Sequence, residues 1–365
     1  MRPIYLDNAS TTPICDAAKN AILQHLDDFG NPSSTHEFGI QARVLIEDAR
    51  ERIAKCINAE PEEIYFTSGG SEANTWALYD RISISSNLEH HSIKANSNNA
   101  FIDNNGFVKT HHFSHINHRL AKYFELGTCM YVNNEIGTIQ PIKEIANIMH
   151  GKQMLFHTDA VQAVGHIPID VKDLNCDMLS ASAHKFGGPK GVGFLYIKNG
   201  TRRIQLIYGG KQEQGLRGGT ENVLGIIAMA AALEDSVEHM NERNTHIKHL
   251  RDDMLEKLLQ IPGSHLNGSL KNRVCSNINI RFDGVSGARL VTLCSMYGIY
   301  ISSGSACNEG VSEPSHVLTA IGLTKEEALS SIRITIGYTN TYEEIDMAAN
   351  IITKLVERIR LENEE

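Results

Sequence analysis

Six short stretches of this sequence carry side chains able to do chemistry. In Ser182-Ala-His184-Lys185-Phe-Gly-Gly-Pro-Lys-Gly191 a lysine follows an apolar strand pattern and precedes a glycine-rich turn. A desolvated lysine loses basicity and becomes a nucleophile able to form a Schiff base; the plainer alternative is a strand-end lysine in solvent. In Phe156-His-Thr-Asp159-Ala-Val-Gln162 a carboxylate ends an apolar strand, where α/β sheets bind ligands. Buried there it needs a partner, such as a protonated pyridine nitrogen; otherwise it caps the next helix. Thr67-Ser-Gly-Gly70-Ser71-Glu-Ala-Asn74 lies between a strand and a helix, where small residues let N–H groups approach a phosphate. It matches neither Gly-x-Gly-x-x-Gly nor the P-loop, and an ordinary turn explains it equally well. His90, in Glu89-His90-His91, could stack on a flat ring or move protons, or simply lie on the surface. Cys307 follows a strand in the small-residue run Ser-Ser-Gly-Ser-Ala, which suits an accessible thiol on a mobile loop. Arg333 sits among branched apolar residues in Ser331-Ile-Arg-Ile-Thr-Ile, where it binds a carboxylate or forms a structural ion pair.

The elements that must position these groups follow from periodicity. Residues 37–57 read as an amphipathic helix with Ala42, Leu45, Ile46, Ala49 and Ile53 on one face. Strands are predicted at 64–67, 129–132, 154–157, 177–180 and 193–197, with a helix over 71–79. This alternation predicts an α/β domain with a mostly parallel sheet flanked by helices. Residues 221–261 read as one long helix or two consecutive ones. Beyond them, strands at 277–282, 299–302 and 332–336 and helices at 288–297, 313–321 and 341–361 predict a smaller α+β domain. The predicted division is 14–260 for the large domain, with 1–13 and 261–365 forming the small one that carries the cysteine loop.

Composition narrows the function. The chain has 365 residues, 41% hydrophobic and 21% charged, which are globular values. A net charge of −9 argues against nucleic acid or an anionic membrane as the main partner. No apolar run is long enough to span a bilayer, and the N-terminus lacks a signal or transit pattern, so a cytoplasmic location is expected. The seven cysteines show no Cys-x-x-Cys spacing, so no disulfide framework or cysteine zinc site is expected.

Taken together and in order, these motifs make the chain resemble the cysteine desulfurases, the NifS/IscS-like group of the class V aminotransferase superfamily. The resemblance runs through Tyr5-Leu-Asp-Asn-Ala-Ser-Thr-Thr-Pro13, Gly30-Asn-Pro-Ser-Ser-Thr-His36, Thr67 to Asn74, Glu89-His90 and Val132-Asn-Asn-Glu-Ile-Gly137. It continues through His157 to Gln162, His184-Lys185, Arg217-Gly-Gly-Thr220, Ser303 to Cys307, Glu313-Pro-Ser-His-Val-Leu318 and Ser331-Ile-Arg333. It implies a pyridoxal 5′-phosphate transferase of fold type I, aspartate-aminotransferase-like, working as a homodimer. By the resemblance, Lys185 holds the cofactor as a Schiff base, Asp159 pairs with its ring nitrogen, His90 stacks on the ring and Gln162 reaches its phenolic oxygen. Gly70, Ser71, Ser182 and His184 hold the phosphate, and Thr220 reaches the neighbouring subunit's site. Asn134 and Arg333 bind the carboxylate of L-cysteine. Lys185 takes the Cα proton, His90 carries protons, and Cys307 accepts the sulfur as a persulfide. An acceptor protein then takes that sulfur toward iron–sulfur clusters, thio-tRNA or another thio-cofactor.

Between Ala77 and Met130 the chain is more than ten residues shorter than the family pattern, which puts usual partner contacts there in doubt. That segment carries His111-His112-x-x-His115-x-x-His118, a spacing that can bind metal; a polar surface is the favoured reading, and no metal is expected. The chain also ends soon after its last helix, so a C-terminal docking tail is expected to be absent. Two other readings stay open. One is a different reaction of the same cofactor, a selenocysteine lyase or an aminotransferase. The other is a scaffold that kept the fold and lost the chemistry.

Overall fold

The computed structural model describes residues 3–94, 97–100, 103–110, 123–303, 307–308 and 311–364, the backbone alone for 97–100, 307–308, 311–312 and 364. The histidine-rich stretch His111 to His118 lies outside them. Seven strands form the main sheet: β2 (Ile64–Thr67), β3 (Ser83–Ser86), β4 (Ser97–Ala100), β5 (Leu126–Thr128), β6 (Leu155–Asp159), β7 (Met178–Ser182) and β8 (Gly193–Ile197), after the short β1 (Ile4–Tyr5). Their order is β2-β8-β7-β6-β5-β3-β4. Only β8 runs antiparallel to its neighbours. Every residue of β7 and β8 is buried, as a sheet covered on both faces requires.

The covering layers follow from helical stripes. On one face the helices Asp16–Gln24, Glu37–Cys56 and Val223–Glu238 pack a large apolar cluster that includes Ile46, Ile53, Phe156, Phe194 and Met229. The other face carries the helix Gly70–Leu78 with Trp76 and Leu78 against Tyr65, Met178 and Leu195. Trp76 is 1% exposed, and its indole N–H donates to the Ile204 carbonyl at 2.7 Å, the partner a buried indole needs.

A second sheet is antiparallel, in the order β12 (Ser302–Ser303), β15 (Ser331–Thr335), β10 (Asn277–Phe282), β9 (Ser264–Leu266). Its core joins β10 and β15 to the helices Met240–Leu259, Gly287–Met296 and Tyr342–Glu364. The N-terminus belongs to this core: β1 pairs in parallel with β11 (Ile299–Tyr300), and Ile4 and Leu6 are buried in it. Among the described residues no helix is long and apolar enough to cross a membrane. Six cysteines are described with free thiols, and Cys15, Cys129, Cys176 and Cys294 are buried.

Several sequence expectations shift. The strand expected at 129–132 lies at Leu126–Thr128. Beyond it Cys129, Met130 and Val132 are buried, and the Cys129 and Tyr131 N–H groups still donate to the His157 and Asp159 carbonyls before the Asn133 side-chain carbonyl accepts the Glu135 and Ile136 N–H groups and turns the chain. The strand expected at 154–157 continues to Asp159. The helical stretch 221–261 resolves into two helices that meet at His239. Cys307, expected in an open loop, has its backbone in β13 (Cys307–Asn308), paired antiparallel with β14 (Val311–Ser312).

Candidate active site

The carboxyl ends of β6 and β7 and the N-terminus of the helix Gly70–Leu78 meet at one cleft of about 320 Å3, a volume suited to a small cofactor with its substrate. Gly70, Ser71, His90, Asn134, Asp159, Gln162, Ser182, His184, Lys185 and Arg333 all line it. These are ten of the residues singled out from sequence, drawn from both sheets. Thr220 is exposed and does not line this cleft. The Cys307 side chain lies outside the described atoms.

Lys185 follows β7 in a short 3-10 turn, Ala183–Lys185. Its ammonium donates to the carbonyls of Ala9 at 2.6 Å and Ser10 at 2.8 Å. Burial, with the Arg333 guanidinium nearby, pushes it down to about 8. The solvent-exposed alternative therefore fails: the amine is half-buried and primed to lose its proton. Asp159 ends β6 and is 4% exposed. Its Oδ1 accepts the Val161 N–H at 3.0 Å, and its Oδ2 accepts the Asn74 amide at 2.7 Å. Burial raises its pKa against those two donors. Among the described residues both hydrogen-bonding partners are neutral, so a cationic ring nitrogen would complete the site.

The phosphate-type corner is built from small residues. Gly69 turns the chain from β2 into the helix at φ 151°, a conformation side chains resist. A Cβ on Gly70 would lie 2.5 Å from Val161 Cγ2. The absence of a side chain there keeps the first helical N–H groups open to an anion. Ser182 and His184 face this corner from β7 and its turn. Burial, reinforced by Lys185, lowers His184 to about 4, so it is a neutral ring.

The wall opposite is made by Arg333 of β15, which is 7% exposed. It donates to the Asn134 carbonyl at 3.0 Å, and to Asp7 and Ser10 at 2.8 Å each. Of the two sequence readings of this arginine, the ion pair is present, with Asp7, and the arginine also lines the cleft. Its Nε is buried without a partner among the described residues. Placement also separates two pairs of neighbouring residues. Asn134 lines the cleft, whereas Asn133 is 1% exposed and forms the turn. His90 lines the cleft, whereas His91 packs on the His316 ring at 5.0 Å.

Sequence reasoning assigned no roles to Asp7, Ala9, Ser10, Asn74 or Ser92. The strap Asp7 to Thr12 crosses the site. The Ala9 carbonyl accepts both Lys185 and the Gln162 amide, the latter at 2.8 Å, and Thr11 Oγ1 lies 3.2 Å from His184 Nδ1. The motif Tyr5 to Pro13 was the available signal, since polar residues right after a buried strand have little reason to be there except as ligands or turns. Arg217 of the segment preceding Thr220 is paired with Glu72 of the glycine-rich helix start.

Residues 4–347 match the family described as Aminotransferase class-V. "Cysteine desulfurase IscS" of Methanosarcina thermophila is 41% identical, the match covering 98% of this chain and 93% of the relative. A solved "NIFS-LIKE PROTEIN" superposes with a TM-score of 0.90 at 34% identity, covering 97% of this chain and 99% of the other. "SspA in complex with cysteine" superposes at 0.77 with 32% identity, covering 93% and 100%. The fold is that of a class-V aminotransferase, a pyridoxal phosphate-dependent family of fold type I. Within it, the chain belongs to the cysteine desulfurases.

Proposed function

We propose that this protein removes the sulfur of L-cysteine, releasing L-alanine and leaving a persulfide on Cys307 for transfer to an acceptor protein. The observation that carries the reading is one cleft holding a lysine amine lowered to about 8 near a buried carboxylate whose hydrogen-bond partners among the described residues are both neutral. Those residues fit pyridoxal phosphate: Lys185 would anchor it, Asp159 would meet its ring nitrogen, and Gln162 its phenolic oxygen. Gly70, Ser71, Ser182 and His184 would hold its phosphate, with His90 against the ring. The cofactor, when bound, supplies an electron-withdrawing ring conjugated to the substrate's Cα.

The chain's own groups do the rest. Arg333 and Asn134 bind the substrate carboxylate, the Arg333 Nε having no partner among the described residues. Lys185, released as a free amine, takes the Cα proton; its lowered pKa keeps a useful fraction unprotonated near neutral pH. The Cys307 thiolate attacks the substrate sulfur. The C–S bond breaks, an S–S bond forms on Cys307, the electron pair left at Cβ takes a proton, and Lys185 returns a proton to Cα, which completes alanine. His90 carries protons at the cleft mouth.

We further infer a homodimer in which Thr220 serves the partner's cleft. Support comes from exposed apolar side chains on one region, where Phe29 is 80% and Phe38 54% exposed with ring centroids 5.1 Å apart. The proposed large domain, 14–260, meets the small one, 1–13 with 261–365, through the helix Met240–Leu259, whose Ile247, Leu250 and Met254 join the second core. Iron–sulfur assembly is the proposed use of the sulfur, and the cytoplasm the proposed location.

The test is a single turnover of L-cysteine on wild type and Cys307→Ser, reading alanine and protein mass. We expect alanine with an adduct of about 32 Da on Cys307 in the wild type, and neither in the mutant. Cofactor-loaded wild type giving neither product would overturn the cysteine reaction.

A further inference from the structure

We propose that Asn74 and Ser92 are positioning residues which hold His90 in its Nε2–H form and make that form depend on ionised Asp159. This rests on the reading of the cleft given above. Two side chains, Asn74 and Ser92, link Asp159 to His90. The Asn74 amide nitrogen donates to Asp159 Oδ2 at 2.7 Å and to Ser92 Oγ at 3.0 Å. Ser92 Oγ lies 2.8 Å from His90 Nδ1, and the Ser92 backbone N–H donates to the same Nδ1 at 3.2 Å.

Each direction in this line is forced by the chemistry of the groups. The Asn74 NH2 can only donate, so Ser92 Oγ receives a proton from it. The serine's own proton is then free for His90 Nδ1. The Ser92 backbone N–H also can only donate. Nδ1 therefore faces two donors and must be bare, which leaves the ring proton on Nε2. The carboxylate starts the sequence. An anion at Oδ2 attracts the NH2 end of Asn74 and repels its carbonyl end, and this fixes the amide's orientation.

A second observation shows the cost of that orientation. Asn74 is 1% exposed, and its Oδ1 is buried without a partner among the described residues. A buried carbonyl without a donor is unfavourable. Rotating the amide would relieve it only by turning that carbonyl toward Asp159. The orientation is thus set by the carboxylate and not by the needs of Asn74. The consequence for the site is that His90 meets anything in the cleft as a neutral ring. Its tethered edge is Nδ1, and its proton-bearing edge is Nε2. Burial and the neighbouring His91 and Lys185 charges disfavour the charged ring, while Asp159 alone favours it.

The test uses protein loaded with pyridoxal phosphate and labelled with ring-15N histidine. Long-range proton–nitrogen correlations report which ring nitrogen carries the proton, and the His90 signals are those lost in His90→Gln. We expect wild-type His90 to be predominantly Nε2–H. Ser92→Ala should lower the Nε2–H to Nδ1–H ratio about fivefold, the worth of one ordinary hydrogen bond. Ser92→Thr, which keeps the hydroxyl, should restore it. Asn74→Ala should lower the ratio in the same direction with Ser92 intact. A wild-type ring protonated on Nδ1, or a ratio unmoved by Ser92→Ala, overturns the proposal.

Alanine release from the same wild-type sample separates this result from the function. Release of alanine with His90 protonated on Nδ1 removes the positioning role and leaves the reaction standing. The expected tautomer without alanine removes the reaction and leaves the positioning standing. A merely structural Ser92 would change thermal stability without changing the tautomer ratio.

Discussion

Glu89 offers the sharpest test of the electrostatics around this cleft. Its side chain is fully buried; the Ser86 hydroxyl donates to Oε1 at 2.5 Å and the Met130 N–H at 2.9 Å. Its other oxygen is buried with no partner among the described residues. Burial, with a smaller push from the Asp159 charge, raises the carboxyl from 4.5 to about 8. At pH 7 the folded chain therefore holds a proton that the unfolded chain has released. Stability is full below 4.5 and is lost as pH rises toward about 8, at up to about 1.4 kcal/mol per pH unit. Glutamine has no proton to bind.

The stability advantage of Glu89→Gln over wild type should therefore grow by about 2–3 kcal/mol between pH 5 and 7, then flatten above about 8. The amide brings an extra N–H without a partner, a cost of about 1–3 kcal/mol that does not vary with pH, so the slope carries the result. Urea unfolding can be followed by the single tryptophan, Trp76, which is 1% exposed, at each pH in both proteins. An infrared difference spectrum should show a protonated carboxyl at pH 7 in the wild type only. A stability difference independent of pH, with no such band, would mean Glu89 is ionised in the folded chain and refute the argument from burial.

Two further outcomes follow from the packing. Glu213 accepts Arg50 through both oxygens at 3.0 Å and also the Phe66 N–H at 2.9 Å, with both side chains buried. Glu213→Gln should cost about 3 kcal/mol by leaving the buried guanidinium only the exposed Glu47 carboxylate as a charge partner, and an unchanged thermal midpoint would refute the pairing. Gly70→Ala places a methyl against Val161 at the proposed phosphate corner. Titration by absorbance should show pyridoxal phosphate binding weakened at least about tenfold, and unaltered affinity would place the phosphate elsewhere.

Much of this protein is legible in order along the chain. The strand at 64–67, the strand at 193–197, the strand at 277–282 and the helix from Glu37 are local patterns, and the structure has them at those residues. Lys185, Asp159 and Arg333 could be picked out because a charged group beside a buried strand is costly and so carries information. The family itself was readable because its motifs recur in order over nearly the whole length. What sequence could not decide is everything that depends on contact between distant segments. Asp7 meets Arg333 across 326 positions, and Asn74 meets Asp159 across 85. Whether Lys185 sits in solvent or half-buried beneath the strap at Ala9 and Ser10 is decided only once the N-terminus packs into the second core. The same holds for tautomer and charge. His90 and His91 are neighbours in the sequence, and folding separates them: His90 lines the cleft with two donors at Nδ1, whereas His91 packs on His316. Local periodicity follows from the geometry of one element, whereas pKa and hydrogen-bond direction follow from which elements fold against each other.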